Sequence, residues 1–142
     1  MIVLMSCGQP IKHDEVLAGK RAAEFAETAF VKRDVPKAYG LLSDSTRRYV
    51  SLEKFGETLS RLRPSGQTKR VAAVEYEPMP GEKAIYIYTV VKNSDAETQY
   101  TVTMEGTAAT DYRVSKITRG SASYLPSTAE KKRFANPITS QR

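Results

Sequence analysis

The spacing of the apolar residues changes once along this chain, and that change limits what it can fold into. From about Asp14 to Arg63 large apolar side chains recur at three- and four-residue steps; from Lys69 to Thr118 they recur at every second residue. The second stretch is cut into four by Pro78-Met79-Pro80-Gly81, Lys92-Asn93-Ser94-Asp95 and Glu105-Gly106-Thr107. The first spacing makes one face of a helix apolar, and the second makes one face of a strand apolar. Helices followed by four closely linked strands describe an α+β domain, with the helices on one face of a curved four-stranded antiparallel sheet.

Within the 142 residues this predicts a domain over 14–118, a flexible segment over 1–13 and a mobile tail over 119–142. The tail is rich in Ser, Thr, Pro, Lys and Arg, and its large apolar residues, Tyr124, Leu125, Phe134 and Ile138, show no period. The net charge of +6 points to nucleic acid only until it is divided. Residues 1–118 carry 17 Lys/Arg against 15 Asp/Glu, and residues 119–142 carry 5 against 1. The predicted domain is nearly balanced, which argues against a specific nucleic-acid binder.

A single Cys excludes an internal disulfide, and a single His (His13) leaves no zinc-ligand spacing. No cofactor is expected. Leu4-Met5-Ser6-Cys7 resembles the lipobox of bacterial lipoproteins, in which the Cys after a small residue is lipidated. If Met1 is the true start, six residues are too few for a signal peptide and Cys7 is a thiol near a chain end. If the true start lies upstream, the segment closes a lipoprotein signal and places the protein in the cell envelope, held to the membrane only through Cys7.

Asp14 is placed to cap a first helix whose stripe is Ala18, Ala22, Phe25, Ala26, Ala29 and Phe30. Asp34-Val35-Pro36 caps a short second helix that buries Ala38, Leu41 and Leu42, and Ser43-Asp44-Ser45 breaks it. Ser51 opens a third helix with Phe55, Leu59 and Leu62 on one face, ended by Arg63-Pro64. The strands fall near 69–77, 83–91, 97–106 and 110–118. The second is apolar on both faces and belongs at the centre of the sheet; in the fourth, Ile117 breaks parity and marks a bulge.

No phosphate loop, nucleophile elbow or metal-ligand spacing is present. What the strands do carry is tyrosine: Tyr76, Tyr86, Tyr88, Tyr100 and Tyr112. Apolar walls with hydroxyl tips suit a small amphipathic ligand, so these five are the candidate ligand-binding residues; Tyr also favours strands for packing alone. The carboxylates near the sheet are Asp44, Glu75, Glu105 and Asp111. Glu75 and Glu105 are out of phase with their apolar neighbours, Asp44 sits in a turn, and Asp111 alternates away from Tyr112, so none is read as catalytic. Arg47, Arg48, Arg61, Arg63, Lys69 and Arg70 form a basic cluster that fits an acidic partner, anionic lipid or nucleic acid, or simply a solvated face.

The helix with Ala22-Ala23-Glu24-Phe25, followed by Lys32-Arg33-Asp34-Val35-Pro36-Lys37-Ala38-Tyr39-Gly40-Leu41-Leu42-Ser43, resembles the opening of nuclear transport factor 2-like (cystatin-like α+β) domains over about residues 14–118. The resemblance implies a helix-covered, cone-shaped sheet and leaves activity open, since the fold hosts isomerases, dehydratases, secretion components and envelope proteins. No catalytic set of its enzymatic members finds matching positions. The expectation is a noncatalytic domain that binds a small molecule or a protein. The alternatives are an isomerase- or dehydratase-type enzyme using a sheet carboxylate and Tyr hydroxyls, or a secretion-type assembly module that forms homodimers through its sheet.

Overall fold

The computed structural model describes residues 11–79, 81–94, 96–120 and 131–139. Cys7 and the lipobox-like segment lie outside the described residues. Helix α1 (Glu15–Ala26) begins where Asp14 accepts the Leu17 N–H at 3.0 Å. Its small-residue stripe is buried and runs on into a π-helical turn, Glu27–Val31, that places Phe30 on the Tyr100 ring with centroids 4.8 Å apart. That turn ends in a left-handed residue, Arg33 at φ 54°, with the Asp34 N–H returning to the Thr28 carbonyl. Glycine is the relaxed residue at such a helix end, and a bulky side chain there costs on the order of 1 kcal/mol.

Asp34 caps α2 (Val35–Gly40) through the Lys37 N–H. The expected break at Ser43-Asp44-Ser45 is instead a start: Ser43 accepts the Thr46 N–H and opens α3 (Asp44–Tyr49). The residue types that stop one helix also cap the next, and α3 buries none of its side chains, so no apolar period announces it. Ser51 caps α4 (Leu52–Leu62), whose Phe55 meets Phe25 and Tyr39.

The strands are β1 (Arg70–Pro78), β2 (Ala84–Lys92), β3 (Glu97–Glu105), β4 (Arg113–Arg119) and β5 (Lys132–Ile138). They form one open antiparallel sheet in the order β4-β3-β2-β1-β5, with β2 central as its two apolar faces required. The parity break at Ile117 is a bulge: Met104 pairs with Val114 and Thr103 with Lys116, leaving Ser115 as the extra residue. A second bulge at Val74 in β1 was not legible. Ala73 pairs with Thr89 and Glu75 with Tyr88, so Val71, Ala73 and Tyr76 share the helix-facing side.

The sheet has five strands, not four. Residues 132–138, read as part of a mobile tail, pair with β1. Phe134 packs on Tyr76 with centroids 4.8 Å apart. Gly19 makes room for this strand, because a Cβ there would lie 2.8 Å from Ile138 Cδ1 and 2.9 Å from Phe134 Cζ. At the opposite end of the chain, residues 11–13 are tied to the sheet rather than free. The Ala108 N–H donates to the Lys12 carbonyl at 2.8 Å, and the His13 ring reaches Tyr112.

Candidate functional site

The space between helices and sheet is filled by protein. Phe25, Phe30, Leu59, Ile85, Ile87, Tyr100, Val102 and Met104 are all fully buried there. The five candidate tyrosines do not share one surface. Tyr76 and Tyr100 face the helices, where the Tyr100 hydroxyl donates to the Leu62 carbonyl. Burial raises the Tyr100 pKa, partly offset by the Arg119 cation over its ring. Tyr86 and Tyr88 point to the opposite face of β2. Tyr112 precedes β4 and holds the N-terminal segment. Its oxygen accepts the Asp14 N–H at 3.0 Å, and His13 Nδ1 lies 2.9 Å away. His13 Nε2 faces the Glu82 carbonyl at 3.1 Å, so that nitrogen donates. Burial raises the Tyr112 pKa; the Asp14 N–H offsets part of this, and the Asp14 and Glu15 charges add to it.

Three of the four candidate carboxylates, Asp44, Glu105 and Asp111, come together at a cleft of about 530 Å³ that also takes Ser43, Ser45 and Arg113. All three are exposed. Arg21 grips Asp111 with two hydrogen bonds, Nε at 2.9 Å and Nη2 at 3.2 Å. That contact is the main reason the Asp111 pKa is lowered, against a smaller desolvation effect, so it is held as an anion. Asp44 pairs with Arg47. Glu75 is half-buried in β1, apart from the other three.

The carboxylate that sequence reasoning missed is Glu77. It is fully buried and accepts a 2.6 Å hydrogen bond from the Tyr88 hydroxyl, while the Lys131 ammonium stands 4.3 Å from the Tyr88 ring centre. Glu75 and Glu77 share parity, which reads as a solvated stripe. Yet on this side of the sheet Glu77, Tyr88 and Thr101 are all buried. The available signal was the two tyrosines of β2 lying across from these glutamates.

Three clefts adjoin along the helices and the turn between β3 and β4. One of about 770 Å³ lies between α1, Lys37 and the end of β5. It shares Arg21 and Glu24 with a cleft of about 290 Å³, which shares Asp111 and Arg113 with the 530 Å³ cleft. Together they make a furrow lined by charges of both signs and by hydroxyls. Among the described residues no cluster of His, Cys, Asp and Glu could hold a metal ion, and no helix is long and apolar enough to cross a membrane. No protein-family model, curated protein or solved structure matches this chain.

Proposed function

We propose that this chain is a noncatalytic binding domain of the nuclear transport factor 2-like kind that takes a protein partner along the furrow on its helical side. The observation that carries the reading is the filled interior: with Phe25, Phe30 and Tyr100 fully buried between helices and sheet, a small ligand has no room in the core. The furrow offers Lys20, Lys37, Glu27 and the Arg21–Asp111 pair, a lining suited to the polar groups of an extended polypeptide. A photo-crosslinking side chain at Glu27 or Lys37 is expected to give a discrete protein adduct in cells, and the same group at Lys116, on the far side of the sheet, is not. Equal adducts from both sides, or a small molecule that raises Tm by several degrees, would overturn it.

The envelope placement rests on Leu4-Met5-Ser6-Cys7. Expressed from its own locus, the protein is expected to sediment with membranes and to lose that association on Cys7→Ala. Equal recovery of both forms in the soluble fraction would remove the anchor.

A second reading, an isomerase- or dehydratase-type enzyme, is favoured by one observation, the buried Glu77–Tyr88 pair. A carboxylate beside a Tyr hydroxyl is the combination such proton transfers use. Glu77→Gln keeps an acceptor for Tyr88 and removes the base. On the binding reading this variant keeps its partner adduct; on the enzymatic reading it abolishes turnover of any substrate found.

A further inference from the structure

The sequence placed six cations in one basic cluster; the structure divides them and adds three. Arg47 and Arg48 go with α3, where Arg47 pairs with Asp44. The others gather where α4 ends and β1 begins. Arg61 and Arg63 close α4, and Lys69 and Arg70 enter β1. Lys92 is the register partner of Arg70, and the Arg119 guanidinium binds the Leu62 carbonyl at 2.7 Å. Arg33 reaches the same loop through the Gly66 carbonyl at 3.4 Å. Among the described residues none of these seven forms an ion pair with a carboxylate. The acids nearby are Asp34, which caps α2, Glu57 one turn up α4, and Glu97 across from Lys92.

Three further observations set this end apart from an ordinary solvated face. The buried side-chain polar atoms without a partner among the described residues are Arg63 Nε and Thr68 Oγ1, and both belong to this loop. Arg33 holds its cation here from a left-handed backbone position that glycine would occupy without strain. And Arg70 and Lys92 flank a slot of about 180 Å³ on the far face of the sheet, floored by Ala72, Val74 and Val90 and closed by Pro137. Val74 shares this face with Ala72 by ordinary alternation, and the bulge that follows carries Tyr76 to the helix-facing side.

The geometry points to an anionic phospholipid surface as the partner of this end: unpaired cations for the headgroup phosphates, and an apolar slot between two of them for part of an acyl chain. Charge complementarity favours a phosphate-rich partner, and the slot favours lipid over nucleic acid. A single-strand binder would instead present aromatic platforms, whereas Tyr100 and the Phe30 ring stacked on it are both fully buried. The slot shares Pro137 and Thr139 with the 770 Å³ cleft of the furrow, whereas the seven cations lie outside the furrow, and the contact does not depend on any lipid at Cys7.

The test uses the full chain carrying Cys7→Ser, so that the thiol contributes nothing, and flotation with vesicles of phosphatidylcholine alone or with phosphatidylglycerol added. Binding is expected only to the anionic vesicles and is expected to fall with added salt. Arg61→Glu with Lys69→Glu should lower the partition coefficient roughly tenfold or more. Lys54→Glu with Lys116→Glu, the same change in net charge away from this end, should leave it within about twofold. Arg33→Gly should raise Tm yet weaken binding, which a purely structural Arg33 would not do. Val74→Glu should reduce binding by charging the slot. Equal loss from both charge-reversal pairs, retention on neutral vesicles, displacement by glycerol phosphate alone, or tighter binding to an RNA homopolymer than to vesicles would each overturn the proposal.

Discussion

Replacing Phe25 with Ala is expected to destabilise the protein by about 3–5 kcal/mol. The ring is fully buried on the stripe of α1, facing the sheet, and lies 6.1 Å from Phe55 of α4, so it joins two elements that pack separately on the core. Its neighbours along the stripe are Ala18, Ala22 and Ala26 of α1 and Ala29 of the π-helical turn, residues with no long side chains to swing into the space left behind. The cavity therefore stays open, and the loss falls toward the upper part of the range. A domain of this size has about 5–15 kcal/mol in total, so the variant should show a large fall in the urea midpoint with an unchanged slope. A midpoint within error of the parent would mean that the α1 stripe does not carry the core.

That stripe was fully legible because side-chain spacing alone specifies it. The same holds for the caps Asp14, Asp34 and Ser51, and for the central position of β2, whose eight apolar or uncharged positions in a row suit burial on both faces. Legibility failed where local chemistry has two meanings. Ser43-Asp44-Ser45 reads as a helix stop, yet α2 has already closed at Gly40 and the Ser43 hydroxyl caps α3, and a helix with no buried residue leaves no periodic trace. Bulges behave unevenly: the one at Ser115 displaced Ile117 from its phase and could be seen, whereas Val74 ends the apolar run Val71-Ala72-Ala73-Val74, within which either phase reads as alternation, and shifted the phase unseen.

The site was less legible than the fold for a related reason. Five tyrosines spaced along strands read as one surface only if every strand keeps its parity and every tyrosine faces the same way. The register instead puts Tyr76 and Tyr100 under the helices and Tyr86 and Tyr88 on the other face. Glu77 escaped notice because alternation tells which side a residue takes and says nothing about whether that side is wet. Asp44, Glu105 and Asp111 were each named singly; that they meet at one cleft depends on contacts between residues up to 67 positions apart, which no local pattern carries.

Ending the chain at Gly120 is expected to cost about 2–4 kcal/mol, from the apolar area of Phe134 and Ile138 returned to water together with the lost pairing to β1. Both side chains are half-buried, and Phe134 covers Tyr76, so the loss is smaller than for two core residues. The truncated protein would also expose β1 as an edge carrying unpaired backbone groups, and its tendency to self-associate should rise, read by sedimentation at increasing concentration. Removing residues of a mobile tail would do neither. A cleaner test keeps the strand and blocks its seat. Gly19→Leu builds a side chain into the 2.8 Å and 2.9 Å approaches of Ile138 and Phe134, and should displace β5. In the full chain this should cost most of what truncation costs, offset by the roughly 1 kcal/mol that a helix gains when an interior Gly is replaced. In the chain ending at Gly120 the clash has no partner, so the same substitution should stabilise by about that amount. The two effects differ in sign only if β5 docks against α1, and a Gly19→Leu effect independent of truncation would return residues 132–138 to the status of a tail.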